Sequence, residues 1–486
     1  MMHRRSFLSG ILTTAALPAC ANAPETSARP VLKPDDILAR SAAAAERLVA
    51  SANLGGDVSA VVADARTGEI LETYNPIRAL PPASVTKAVT ALYAIETLGA
   101  EHRFSTRLVA TGPISNGRLE GDLVLVGGGD PSLDTDGLHN LAASAKAAGL
   151  REVTGRFLVS SGALPTIERI DRSQPEHVGY NPAVSGLNLN FNRVHFSWER
   201  GGNGYRTTMD ARTGRFRPDV TTSTMRIADR SMPVYTYDTR GSVDAWTVAR
   251  GQLGGSGSRW LPVRNPALYA GDVMRTMLRS EGIVVPAAER MTGLPAGQTI
   301  ATETGAALNR VARSMLRYST NLTAEVIGLS ASAQRGLDRA TLDASGDLMT
   351  RWLGQRASVT RADFDDHSGL NGTTRLSGIG MVKMLTAPRA EGILRPILKE
   401  ITIEGTQANI PIQAKTGTLN FVSGLGGYFN ASSGRPLAFA TFCADTRRRA
   451  GLSVSERERP QGGRAWGRRA RSLQFDLIER WWAVHA

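Results

Sequence analysis

Apolar and polar positions change period several times along the chain, and those changes outline its organisation. Residues 35–51, with Ile37, Leu38 and an alanine-rich middle, predict a helix. Residues 58–63 and 69–74 are strand-like runs on either side of Asp64-Ala65-Arg66-Thr67-Gly68, which predicts an antiparallel hairpin. Ala88, Val89, Ala91, Leu92, Ile95 and Leu98 then recur at helical spacing, in a helix entered at or near Ser84. From about Phe104 the pattern breaks into short strands (106–110, 122–126, 156–159) separated by glycine-rich turns. A helix over 138–148 interrupts them; residues 180–190 read as a turn followed by a strand, and about 200–263 as all-β. Gly127-Gly128-Gly129-Asp130-Pro131 lacks the spacing of a phosphate loop and runs into proline, so it reads as a turn. Helical periodicity returns at 266–281, 306–317, after Asn321 and near 376–385. Three consecutive antiparallel strands follow at 412–419, 421–430 and 436–443. A closing amphipathic helix over 468–483 carries Leu473, Leu477, Ile478 and Trp481 on one face.

With 486 residues the chain exceeds one compact core, and two or three domains are expected. The mixture is α/β of the α+β kind. Residues 24–103 and 295–486 form one domain, and 104–294 form a β-rich insertion of one or two subdomains. After the N-terminus no apolar run approaches the length of a membrane span.

The formal charge is +13, and of 57 basic side chains only six are lysines: Lys33, Lys87, Lys146, Lys383, Lys399 and Lys415. In such a chain each lysine raises the question of what arginine could not do there; lysine can lose its proton near neutral pH and arginine cannot. The basic excess suits an anionic partner. No nucleic-acid motif is present, so we expect no nucleic acid. The densest basic region, 447–471, is broken by Glu456 and Glu458 and reads as a solvated loop and helix face. Cysteines are only Cys20 and Cys443, and seven scattered histidines lack metal-ligand spacing, so neither a metal nor another cofactor is expected.

Residues 1–23 combine a basic start, a short apolar core and small residues, the pattern of an export signal. Arg4-Arg5-Ser6-Phe7-Leu8 resembles a twin-arginine signature, and an ordinary secretory signal is the alternative. Leu17-Pro18-Ala19-Cys20 resembles a lipobox, which would make Cys20 a lipid anchor; cleavage after Ala21 or Ala23 competes with it. The mature protein is expected outside the cytoplasm, in the periplasm. Residues 22–34, with three prolines, read as an extended tether.

Three short motifs carry candidate chemistry. Ser84 and Lys87 are one helical turn apart, so an amine lies beside a hydroxyl. A lysine held neutral by burial or a nearby cation can take the proton of a serine that is otherwise a poor nucleophile. Ser319-Thr320-Asn321 marks a break between two helices, and alone would read as a helix cap. Lys415-Thr416-Gly417-Thr418 lies on a strand. Ser-x-x-Lys, Ser-x-Asn and Lys-Thr-Gly in this order, each on its own kind of element, resemble the active-site signature of the penicillin-recognising acyl-serine enzymes.

The long gap between Ser84 and Ser319 resembles the class C low-molecular-mass penicillin-binding proteins, D-Ala-D-Ala carboxypeptidases and endopeptidases with an insertion there. Residues 127–133 and 182–190 resemble segments of that insertion, and Asp366-His367-Ser368-Gly369-Leu370 resembles the family's Asp-Gly-Ser-Gly-Leu loop. His367 stands where glycine is usual, Thr320 where aspartate is frequent, and Gly372 where an arginine is expected.

The resemblance implies a DD-peptidase/β-lactamase-like fold acting on peptidoglycan stem peptides and acylated by β-lactams. It also implies roles. Ser84 would attack, with Lys87 as general base. Ser319 would pass the proton to the leaving amine, and Lys415 would help keep Lys87 neutral. Backbone N–H groups of Ser84 and Thr418 would form the oxyanion hole. Thr416, Thr418 and Lys415, on the strand that includes Gly417, would bind the terminal carboxylate, and Asn321 a substrate amide. A β-lactamase-like hydrolase, or a non-catalytic wall-binding scaffold of the same fold, are the alternatives.

Overall fold

The computed structural model describes residues 44–337, 341–404 and 408–485. The export signal, Cys20, the tether and most of the helix expected over 35–51 lie outside the described residues; the helix seen there is Ala45–Ala52.

The hairpin strands Asp57–Asp64 and Ile70–Tyr74 pair as the sequence pattern predicts. They join a six-stranded antiparallel sheet with three consecutive C-terminal strands, Asn409–Leu419, Val422–Asn430 and Pro436–Ala444. Strand Lys399–Glu404, which the sequence pattern does not predict, closes the far edge. The two ends of the chain meet in the middle of this sheet, where Asp57–Asp64 pairs with Pro436–Ala444 from Asp57 opposite Ala444 to Asp64 opposite Leu437.

Alternation along these strands divides their side chains between two cores. Val61, Ala63, Tyr428, Ala440 and Phe442 pack under the helix Thr86–Leu98. Val62, Phe429, Phe439 and Cys443 pack under Trp466, Leu473, Leu477 and Trp481 of the helix Gly463–Val484. The Ser84 segment thus sits between sheet and helices. Thr86–Leu98 is buried nearly all round rather than on one face, because helices Leu308–Tyr318 and Asn321–Gln334 enclose its other side.

The insertion has its own core and a five-stranded sheet in the order Ala288–Met291, Phe157–Ser160, Leu123–Gly127, Arg103–Ala110, Gln298–Ala307. Its first and last strands in sequence, Arg103–Ala110 and Gln298–Ala307, pair with each other, so the chain enters and leaves through one seam. The sheet therefore continues past residue 294, and helix Leu308–Tyr318 follows directly. Two three-stranded sheets account for the β-rich stretch around 193–262.

Residues 180–190 form no strand: apart from one bridge between Ile167 and Val184 they are irregular. Asparagine side chains take over the backbone bonding there. Asn192 donates to the Ala183 carbonyl and Asn188 to the Ser185 carbonyl, while Asn190, Phe191 and Asn192 all have positive φ. Short amides that satisfy local backbone groups compete with a ladder, and the apolar alternation of Leu187 and Leu189 does not reveal this.

Candidate active site

Ser84 lies in a one-turn 3-10 segment, Ala83–Val85, that leads into helix Thr86–Leu98. Ala83 has a φ of +48°, so the turn is tight and strained for a residue with a Cβ. Glycines allow other chains to close on it. A Cβ on Gly417 would lie 2.4 Å from the Pro82 carbonyl oxygen and 3.1 Å from the amide nitrogens of both Ser84 and Val85. The Lys415 strand can therefore lie directly on the Ser84 turn only because position 417 has no side chain. Gly369, at a φ of +70°, approaches from the other side, where a Cβ would fall 1.9 Å from the Ala83 carbonyl oxygen.

Lys87 is fully buried, and its amine has three oxygen neighbours. Ser84 Oγ lies at 2.9 Å, Asn321 Oδ1 at 2.7 Å and the Ser368 carbonyl oxygen at 2.7 Å. Burial pushes its pKa down to about 8, against the carboxylates of Asp366 and Glu325, which raise it. Lys415 is also buried, and its Nζ donates to the Thr416 carbonyl at 2.6 Å. Burial, and then repulsion from Lys87, hold its ammonium well below the usual lysine range. Burial thus does for Lys87 what the resemblance assigns to Lys415.

Ser319 caps helix Leu308–Tyr318 in the left-handed region, at a φ of +58°. With Ser84, Asn321 and Thr418 it lines a single cavity of about 1180 Å³. Thr416 is exposed on the face of its strand opposite Lys415 and Gly417, as alternation requires. Asn321 lines the cavity and is also held within the protein. Its Oδ1 accepts from Lys87 and its Nδ2 donates to the Tyr180 carbonyl at 2.8 Å, so both ends are engaged within the protein. Asn321 ties the Lys87 amine to the insertion.

Beneath Lys87 lies a buried polar layer that the motifs alone do not reveal. Glu325 accepts from the amides of His367 at 2.9 Å and Ser368 at 3.0 Å. Asp366 accepts from the amides of Gly369 and Asn371, both at 2.7 Å. Together the two carboxylates pin the loop so that the Ser368 carbonyl faces Lys87. Burial raises the pKa of both acids. A sequence signal for Glu325 does exist: it is the one charged residue in helix Asn321–Gln334, among Leu322, Ala324, Val326, Ile327 and Leu329.

His367 sits over Gly328, where a Cβ would fall 2.1 Å from His367 Cγ. Its Nε2 is 2.7 Å from Ser345 Oγ, and its ring stacks at 6.2 Å on Tyr93. Burial pushes its pKa down to about 3, so the ring is neutral.

A half-buried serine in the turn before a helix with a buried lysine on its first turn, an antiparallel sheet strand beside them and a large inserted region together define an acyl-serine hydrolase of the DD-peptidase fold. Residues 41–457 match the D-Ala-D-Ala carboxypeptidase 3 (S13) family, and the chain belongs to that family of serine peptidases. It is 28% identical over 427 residues to the D-alanyl-D-alanine carboxypeptidase of Actinomadura sp. (strain R39), covering 80% of this chain and 78% of that protein. It is 22% identical over 420 residues to D-alanyl-D-alanine carboxypeptidase DacB of Haemophilus influenzae, covering 80% and 85%. The crystal structure of penicillin binding protein 4 (dacB) from Haemophilus influenzae superposes with a TM-score of 0.73 at 20% identity, over 90% of this chain and 99% of that one.

Proposed function

We propose that the chain is a D-Ala-D-Ala carboxypeptidase and endopeptidase that cleaves peptidoglycan stem peptides through an acyl-Ser84 intermediate and is inhibited by β-lactams. The hydrogen-bond set of Lys87 carries this reading. Asn321 Oδ1 and the Ser368 carbonyl can only accept, so a neutral amine gives its two hydrogens to them. Its lone pair then faces Ser84 Oγ at 2.9 Å, the direction needed to take the hydroxyl proton. A pKa near 8 leaves a useful fraction of this amine neutral at physiological pH.

In the reaction Ser84 Oγ bonds to the carbonyl carbon of the D-Ala-D-X link and its proton passes to Lys87. Backbone N–H groups of Ser84 and Thr418 stabilise the oxyanion. Ser319 relays that proton from Lys87 to the leaving amine as the C–N bond breaks, regaining one from Lys87 as it gives its own, and water then releases the acyl group. Lys415 and Thr418, beside the small Gly417, hold the terminal carboxylate, and Thr416 would have to reach it from the exposed face of the strand. We assign Asn321 to orienting Lys87. The signal in residues 1–23 supports export to the periplasm, and a lipid anchor at Cys20 and cleavage after Ala21 or Ala23 are the two alternatives for its processing.

Labelling with a fluorescent penicillin tests the reading. The wild type is expected to form a covalent adduct and Ser84→Ala none; a folded, unlabelled wild type would refute an acyl-serine enzyme. Rapid turnover of the penicillin would instead indicate a β-lactamase. Products of purified muropeptides, read by mass spectrometry, give the balance of the two peptidase activities.

A further inference from the structure

The part of the Ser84 cavity that the insertion supplies is irregular chain. Residues 168–181 form neither helix nor strand, yet they reach the cavity at Gln174 and Tyr180. The Tyr180 carbonyl accepts from Asn321 Nδ2 at 2.8 Å, and Asn321 Oδ1 in turn accepts from Lys87 at 2.7 Å. The direction of one peptide group in a loop therefore bears on the direction of the amine that faces Ser84.

No ladder fixes that peptide, so other groups must. Asn181 is tied on every side. Its N–H shares a peptide plane with the Tyr180 carbonyl and donates to the Val178 carbonyl at 3.0 Å. Its side-chain amide donates to the Asp171 carbonyl at 2.7 Å and accepts from the Asp171 N–H at 3.0 Å. Its own carbonyl accepts from Arg264 Nη1 at 2.7 Å.

Arg264 is buried in the link between strand Ser256–Pro262 and helix Pro266–Ser280. Its guanidinium gathers three carbonyls of this one segment. Besides Asn181, Nη1 donates to Glu168 at 3.2 Å and Nη2 to Glu176 at 2.8 Å. The Glu176 carboxylate stays 3.8 Å away, so the hydrogens go to the course of the chain more than to an ion pair. A planar fork can join several carbonyls at fixed angles, and the point charge of a lysine cannot. Burying a cation is costly, and for stability alone well-packed apolar side chains commonly serve as well.

We propose that Arg264 is a positioning residue for acylation: it holds the Tyr180–Asn181 peptide, and through Asn321 the Lys87 amine, in line with Ser84. The proposal rests on the acyl-serine reading above and deepens it, giving the insertion a share in setting the general base.

The test labels the full-length protein with fluorescent penicillin and compares Arg264→Lys with the wild type, thermal melts having shown both to be folded. At about pH 10 Lys87 is mostly neutral, and the variant should still acylate about tenfold more slowly, because the aim of the amine is at fault and not its protonation. The acid limb of its pH–rate profile should move to lower pH, since an ammonium loses more than an amine when the Asn321 oxygen drifts. In an Asn321→Ala background the same substitution should change the rate by no more than about twofold. A merely structural Arg264 would lower the melting temperature and leave the rate and the acid limb of the folded protein where they are. That outcome, or an equal factor in both backgrounds, would overturn the proposal. Asn181→Ala leaves the guanidinium in place and should repeat the pattern; if it acylates as the wild type does, the proposal falls whether or not Arg264→Lys folds. A wild type that penicillin does not acylate would bring down the acyl-serine reading itself, and this proposal with it.

Discussion

Replacing Asn321 by aspartate should displace the pH range of activity rather than abolish it. The side chain keeps its size, but an anion replaces the neutral oxygen 2.7 Å from Lys87 Nζ. At that distance a full charge pair is worth about 6 kcal/mol at an effective dielectric constant of 20. Spreading the charge over two oxygens at a half-buried site leaves about half, ~3 kcal/mol or roughly 2 pKa units. The anion favours the ammonium, so the pKa rises, from about 8 to a value near ~10. Only the neutral amine has a lone pair for Ser84. At pH 8 its share would fall from about a half to about one part in a hundred, a loss of roughly 50-fold in acylation. The assay is the second-order rate constant for labelling by fluorescent penicillin from about pH 6 to 10.5. The wild type should rise up to about pH 8 and level off, and the variant should keep rising and recover most of its rate at the alkaline end. A variant equally depressed at every pH, or one whose acid limb stays at the wild-type position, would refute the orientation of Lys87 argued here. The lost bond to the Tyr180 carbonyl costs stability separately, about 1–3 kcal/mol, and a thermal melt reports it.

Other consequences can be checked in the same way. Gly417→Ala should drive a methyl into the Pro82 carbonyl, lowering stability by about 1–3 kcal/mol and acylation at least tenfold, as melts and labelling would show. Gly328→Ala should be strongly destabilising because of His367, and Gly328→Ala/His367→Gly should regain part of that loss; additive penalties in the double-mutant cycle would contradict the packing described. His367 takes up a proton in the unfolded chain below about pH 6.5 but in the fold only near pH 3. Stability should therefore fall as pH drops through that window, by roughly 1.4 kcal/mol per unit from this residue, and denaturant titrations of His367→Asn should show a shallower fall.

The parts of the site that the sequence makes legible are those in which residue type and spacing are the mechanism. Ser84 and Lys87 share a helical turn, and their separation in sequence is their separation in space. Ser319, Asn321 and the Lys415 strand are legible through a familiar order, and the fold brings them to one cavity or its walls. Tyr180, Glu325 and Asp366 act through backbone groups: a carbonyl that holds Asn321, and amides that hold a loop. Such contacts depend on the course of the chain more than on side-chain pattern, so a motif that contains Asp366 and the isolated charge of Glu325 mark these two residues without showing what they hold. The basic stretch 447–471 reads as a solvated loop and helix face, and most of its arginines are exposed; that the C-terminal helix begins at the mouth of the Ser84 cavity depends on the course of the chain, which composition does not carry.

The strand that carries Val58 to Ala63 pairs on one side with the nearby Ile70–Tyr74 but on the other only with Pro436–Ala444. During synthesis it must wait, apolar and without a partner on that side, until residues 437–444 have been made. Contacts so distant in sequence slow folding and leave the growing chain open to aggregation. Loss of the last three strands would therefore remove more than the Lys415 motif: it would deprive the first strand of its place, and shortened chains should accumulate as insoluble protein rather than as weakened enzymes.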